Sequence, residues 1–240
     1  MKKSMIIAIA CMIAGPLLAD VKPTPAMRSA NGAALAMQGR NLFVGIILVN
    51  MDREAAGLAS AWPRTMAIVG ADKEDIAGMA FKSATEYFSC LFDMKNFDTD
   101  KWEPYVNCDV GVLGEKAMEG RALRAEEIEW CVAANATDKM PDNIPVLVSA
   151  NFNPKYLLRK WDRSVSAGTL PIGPKSGAAK SLLGDKAIVV VYKGGASKVI
   201  RQKDLTYEAL YNRRPFDLTK QEALLLYLTP NGVVEPSGRQ

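Results

Sequence analysis

An α+β fold, in which a long N-terminal helix packs on a C-terminal antiparallel sheet, is predicted by two features of this sequence. In residues 27–58, Leu35, Leu42, Ile46 and Val49 recur at helical spacing and fall on one face. In residues 187–201, the apolar run Ala-Ile-Val-Val-Val-Tyr is followed by Lys193-Gly194-Gly195-Ala196 and the half-polar run Ser-Lys-Val-Ile-Arg, which reads as a β-hairpin with a glycine turn. The first arm is apolar on both faces and belongs inside a sheet, whereas the second belongs nearer an edge.

In chain order, residues 1–19 come first. Lys2 and Lys3 precede an apolar run that Gly15-Pro16 interrupts and that ends Leu17-Leu18-Ala19-Asp20, the layout of a secretory signal peptide. About fifteen apolar residues rise only about 22 Å as a helix, short of the roughly 30 Å hydrocarbon core, so a permanent membrane span is the weaker reading. A lipid-modified Cys11 is a further alternative, but it leaves too short an apolar stretch before the cysteine. The expected product is therefore periplasmic, extracellular or surface-located, with membrane contact only where this segment stays uncleaved. Residues 20–26, with Pro23 and Pro25, read as an extended leader, and residues 27–240 as one domain.

The helical segment at 27–58 contains a stretch, residues 42–49, that is apolar all the way round, so it needs cover from its own domain or from a neighbouring subunit. Leu42, Phe43, Ile46, Ile47 and Val49 are the candidate interaction residues. A buried strand is the rival reading because four of these eight residues are β-branched, but the alanine-rich approach favours helix. Gly57 and Pro63 end it. Residues 60–82 read as loop. Ser83 and Glu86 then form a capping-box pattern that opens a second helix with the apolar stripe Tyr87, Phe88, Leu91 and Phe92. Residues 92–120 lack sustained periodicity and read as a surface excursion. Strands are expected at 128–134 and 144–149. At the end, Thr219 and Glu222 give another capping box, predicting a short helix through residues 223–228 that Pro230-Asn231-Gly232 stops.

Composition excludes several functions. Subtracting Lys2 and Lys3 leaves 28 basic residues against 26 acidic ones, so no basic stripe offers itself to nucleic acid. The chain has no histidine, which removes Ser-His-Asp and Cys-His catalysis and the commonest zinc ligand. Three cysteines follow the targeting segment: Cys90, Cys108 and Cys131. A Cys90–Cys108 disulfide is one candidate and would contribute about 3 kcal/mol in the chain-entropy model. Three buried thiols are the alternative.

Among possible ligand sites, Asp98, Asp100 and Glu103 carry oxygen donors close in sequence and suit a hard cation such as calcium, although their spacing is not that of an EF-hand and a solvated acidic face reads as well. No other cofactor is expected. Trp102, beside this cluster, is a candidate sugar-stacking platform, whereas Trp130 is expected in the core. Residues 173–181 superficially resemble a phosphate loop but fail its spacing and read as a flexible surface loop.

The segments RNLFVGIILVNMDREAAGL at 40–58, WPR at 62–64, SATEYF at 83–88, WCVAAN at 130–135 and GDKAIVVVY at 184–192, in this order, resemble the type IV pilin and type II secretion pseudopilin family. The likeness is to its large pseudopilin-like members of the Lentisphaerae and Verrucomicrobia type, and it covers residues 27–232. It implies a pilin-like fold and a non-enzymatic protein acting through protein contacts with other pilin-like subunits, type II secretion components or surface filaments. It also adds an analogy for the calcium reading, since some major pseudopilins hold calcium in a loop. The chain departs from the family in having neither a Gly-Phe junction nor an acidic residue among residues 4–19. A carbohydrate- or peptide-binding module using residues 92–120 is the alternative function.

Overall fold

A computed structural model describes residues 25–57, 60, 62–65, 80–93, 123–179, 181–219 and 225–237. Residues 1–24, which include the expected signal peptide, and Asp98, Asp100, Trp102, Glu103 and Cys108 lie outside these residues. The fold is α+β, with a helix near the N-terminus and an antiparallel sheet built from the C-terminal half.

Helix α1 spans Pro25–Ala55. It begins two residues earlier than the periodicity predicts, so Pro25 and Ala26 open the helix rather than close an extended leader. The reason is local: a proline in the first turn loses no intrahelical hydrogen bond and has its φ already set for the helix. Gly57, at φ +70°, stands just past its end, where a left-handed residue terminates a helix without a Cβ clash. Helix α2 spans Ala84–Asp93, so Phe92 and Asp93 belong to it and not to the excursion. Its N-terminus is held as the sequence predicts on one side: the Glu86 amide donates to Ser83 Oγ at 3.1 Å. The Glu86 carboxylate accepts the amide of Lys82 at 2.6 Å, one residue earlier than a regular capping box. Tyr87, Phe88 and Leu91 are buried.

Among the described residues, eight strands follow: β1 (Trp130–Ala134), β2 (Pro145–Ser149), β3 (Lys160–Trp161), β4 (Ala187–Tyr192), β5 (Ser197–Arg201), β6 (Phe216–Asp217), β7 (Leu226–Thr229) and β8 (Gly232–Val234). A short helix, α3, occupies Tyr207–Leu210 between β5 and β6. Six strands form one sheet in the order β5-β4-β2-β1-β7-β8, and β3 pairs with β6 in a second, smaller one. The β4–β5 hairpin lies where the sequence places it, with β5 at the edge and β4 inside. Gly195, at φ +80°, supplies its turn, a conformation that other residues adopt only with strain. Strands β1 and β2 are buried at every position, which requires cover on both faces of the sheet.

The expected helix over 223–228 is corrected by the structure. Leu226, Tyr227 and Leu228 form β7, pairing with Ala134, Ala133 and Val132 of β1 and, on the other side, with β8. Pro230, Asn231 and Gly232 lie at the turn of the β7–β8 hairpin instead of stopping a helix. Tertiary pairing outweighs the local capping signal because the free edge of β1 offers backbone partners to a mostly apolar tetrapeptide. Residues 173–176 are likewise no loose loop. They form a 3-10 turn in which Ser176 is buried and donates to the Gly173 carbonyl at 2.6 Å.

Helix α1 lies on β4 and β5, while α2 contacts β1 and β7. The approach of α1 is close at Gly39: a Cβ there would fall 2.4 Å from the Trp130 ring and 2.9 Å from Val191. Leu35, Leu42 and Ile46 belong to the core cluster shared with the sheet, Val49 is buried as well, and each is worth about 1.5 to 3 kcal/mol in transfer terms. Trp130 and Trp161 are also core residues.

Candidate interaction site

Two adjoining features of α1 form the candidate site: a cleft beside its C-terminal half and an apolar stripe on its outer face. The cleft depends on how the segment after α1 is fastened. At the end of β1, Asn135 adopts φ +64° and clamps this segment. Its amide donates to the Pro63 carbonyl at 2.9 Å, its side-chain oxygen accepts the Thr65 amide at 3.0 Å, and its Nδ2 donates to Thr65 Oγ1 at 3.0 Å. A parallel bridge between Arg64 and Ala80 extends the attachment toward α2.

This clamp sets Trp62 against Phe43 of α1, edge to face at 6.1 Å between ring centres. Between them and the residues following β1 runs a cleft of about 340 Å³. Phe43, Ile47 and Val146 supply apolar lining, while Glu54, Arg64 and Asp138 add charges of both signs. Lys193, also at the cleft, lies 3.7 Å from the carboxylate of Asp142. On the helix side, Asn50 Nδ2 donates to Glu54 Oε1 at 2.9 Å, and Ser60 Oγ donates to Asn50 Oδ1. The Trp62 indole N–H is buried and finds no acceptor among the described residues, as is also true of the core residues Trp130 and Trp161. A buried donor without a partner is costly, and an acceptor brought by a ligand would satisfy it.

The outer face of α1 carries Met37, Val44, Leu48 and Met51, which are 62%, 46%, 55% and 59% exposed. At 3.6 residues per turn these four fall within an arc of about 60°, opposite Leu35, Leu42, Ile46 and Val49. The five candidate interaction residues therefore need correction. Leu42, Phe43, Ile46 and Val49 are buried within the chain's own core, and Ile47 is half-buried. Only Phe43 and Ile47 border the cleft, and none of the five belongs to the outer stripe. Their inward role follows from the sheet beneath α1: the face holding Gly39 can approach it most closely, and these side chains share that side. The stripe is readable from the spacing 37, 44, 48, 51, but residues 42–49 are apolar all round, so periodicity alone does not say which face meets the core.

Reactive chemistry is not favoured at Cys131. Burial, with a smaller contribution from the charge of Glu129, pushes its thiol well above the ordinary range, so it stays protonated. Cys90 is half-buried on α2, and the pairing of Cys90 with Cys108 lies outside what the described residues include. The calcium candidates Asp98, Asp100 and Glu103 lie outside them too. Among the described residues, no group of three or more acidic or cysteine side chains comes together as a metal site.

By length and composition, residues Asn31–Ala55 of α1 are apolar enough to cross a membrane, as the core helix of a soluble protein also can be. This apolar helix near the N-terminus is compatible with export. Comparison with protein-family models, with curated proteins and with solved structures finds no match to this chain.

Proposed function

We propose that this chain is an exported, non-enzymatic protein with a pilin-like body that acts through protein–protein contacts made by the outer face of α1. The stripe Met37, Val44, Leu48 and Met51 carries this reading, because large apolar side chains exposed on one face of a helix already seated on its own sheet mark a surface for a further partner. The signal-peptide layout of residues 1–19 and the family-like segments at 40–58 and 184–192 support export and the pilin-like body. Other pilin-like subunits and secretion components are the partners the resemblance implies.

A photo-crosslinking residue at position 48, introduced into the chain in its natural envelope, tests this directly. Covalent protein adducts are expected from position 48 and not from Val233, an exposed apolar residue on β8. Adducts with lipid alone, or none, would end the reading. Mass spectrometry of the N-terminus tests export separately: a cut after Ala19 is expected.

The cleft beside Trp62 favours a second reading, a binding module for carbohydrate or peptide. Its apolar lining, mixed charges and unpartnered indole N–H suit a small ligand with an acceptor group. Glycan and peptide arrays probed with the wild type and with Trp62→Phe test it, since the substitution keeps the ring contact with Phe43 and removes the donor. Binding weakened by Trp62→Phe would support this reading, and no binding on either array would remove it.

A further inference from the structure

We infer that the outer stripe of α1 pairs with the same stripe of a second copy of this chain, the two helices running antiparallel about a two-fold axis. This rests on the reading that α1 acts through protein contacts, and it names the partner and the geometry. Positions 37, 41, 44, 48, 51 and 55 alternate in steps of four and three, the spacing of a two-helix seam. Met37, Asn41, Val44, Leu48, Met51 and Ala55 occupy them, and all six are exposed. The seam from Met37 to Ala55 is about 27 Å long.

Charge chooses the direction. In an antiparallel pairing centred between Val44 and Leu48, Val44 meets the partner's Leu48, Met51 meets the partner's Asn41, and Met37 meets the partner's Ala55. The flanking positions then bring Arg40 against the partner's Glu54, and symmetry repeats that pair at the other end. Arg40 and Glu54 are both exposed on α1, on the same flank of the seam. A parallel pairing sets Arg40 beside the partner's Gly45 and Ile47 beside the partner's Asp52, forming no ion pair. Flanking charges set orientation in helix pairs, and the antiparallel arrangement also opposes the two helix dipoles favourably. Each sheet then lies outside its own helix, so the pairing leaves the inner face of α1 as it is.

Light scattering of the full chain, read across a concentration series, tests the pairing. A dimer is expected. Leu48→Glu should raise the dissociation constant by about 100-fold or more by placing a charge in the seam. Because Leu48 is exposed, its melting curve should otherwise stay that of a folded chain. Arg40→Glu and Glu54→Arg should each weaken the dimer about tenfold, and the double variant should return it to near the wild-type value. A dimer that the double variant fails to restore overturns the antiparallel geometry. A chain that stays monomeric overturns the homotypic seam, and flotation of that monomer with anionic vesicles would assign the stripe to a membrane. Protein adducts from position 48 in the envelope, together with a monomeric purified chain, would leave the protein-contact reading standing while removing this one.

Discussion

The two faces of α1 are built from the same kinds of residue and do opposite work. Leu35, Leu42, Ile46 and Val49 are left with almost no exposure, whereas Met37, Val44, Leu48 and Met51 keep about half of theirs. A helix that is apolar on every side is normally covered on every side. Here one side is covered by the chain itself. Apolar character therefore does not distinguish a structural face from an associating one; that distinction depends on which face the sheet takes.

The sharpest division between the covered and uncovered sides is expected at high pH. Burial pushes the phenols of Tyr87, Tyr192, Tyr211 and Tyr227 up from their ordinary value of 10.0. Their folded-state values lie above the unfolded ones, so stability is intact below about pH 10 and falls as pH rises toward the folded values. Each such tyrosine removes about 1.4 kcal/mol per pH unit in that window, and four acting together remove roughly 5.6 kcal/mol per pH unit. The share of phenolate absorbance that these four contribute should appear in one cooperative step coincident with loss of circular dichroism. Gradual ionisation of all tyrosines in a chain that stays folded would show that the core admits water.

Next in size is Ile46→Ala, which removes a side chain with no exposure and should lower the unfolding free energy in urea by about 3 kcal/mol. Gly39→Ala should cost about 2 kcal/mol, although alanine favours the helix, because its Cβ would strike the Trp130 ring and Val191. A stabilising effect would mean that α1 sits farther from the sheet than described. Tyr227→Phe removes the hydroxyl that donates to the Pro145 carbonyl at 2.6 Å and should cost about 1 kcal/mol. Smallest of all, Leu48→Ala should change the stability of the dilute chain by less than about 0.5 kcal/mol. If it matched Ile46→Ala, the contrast between the faces would fail.

Much of the fold is legible in the amino-acid sequence. The helical character of α1, the Ser83 start of α2, both early strands and the β4–β5 hairpin with its edge strand carry their own periodicity and turn residues. The helix expected over 223–228 fails because Thr219 and Glu222 give a local signal, while the fate of Leu226, Tyr227 and Leu228 depends on the distant edge of β1. The candidate site is less legible. The all-round apolarity of residues 42–49 does signal a need for cover, yet the residues left outside are Met37, Val44, Leu48 and Met51, and the cleft at Trp62 exists only because Asn135 clamps Thr65 across 70 positions of chain.

Local chemistry in the chain was enough to determine a helix followed by an antiparallel sheet, because side-chain period and turn residues act over a few neighbours. Its composition also withheld every reaction that needs histidine. Which side of α1 is core, which strand borders β1, and where Trp62 stands were decided only by the tertiary structure, since each depends on the close approach of segments far apart in sequence, at Gly39 above all.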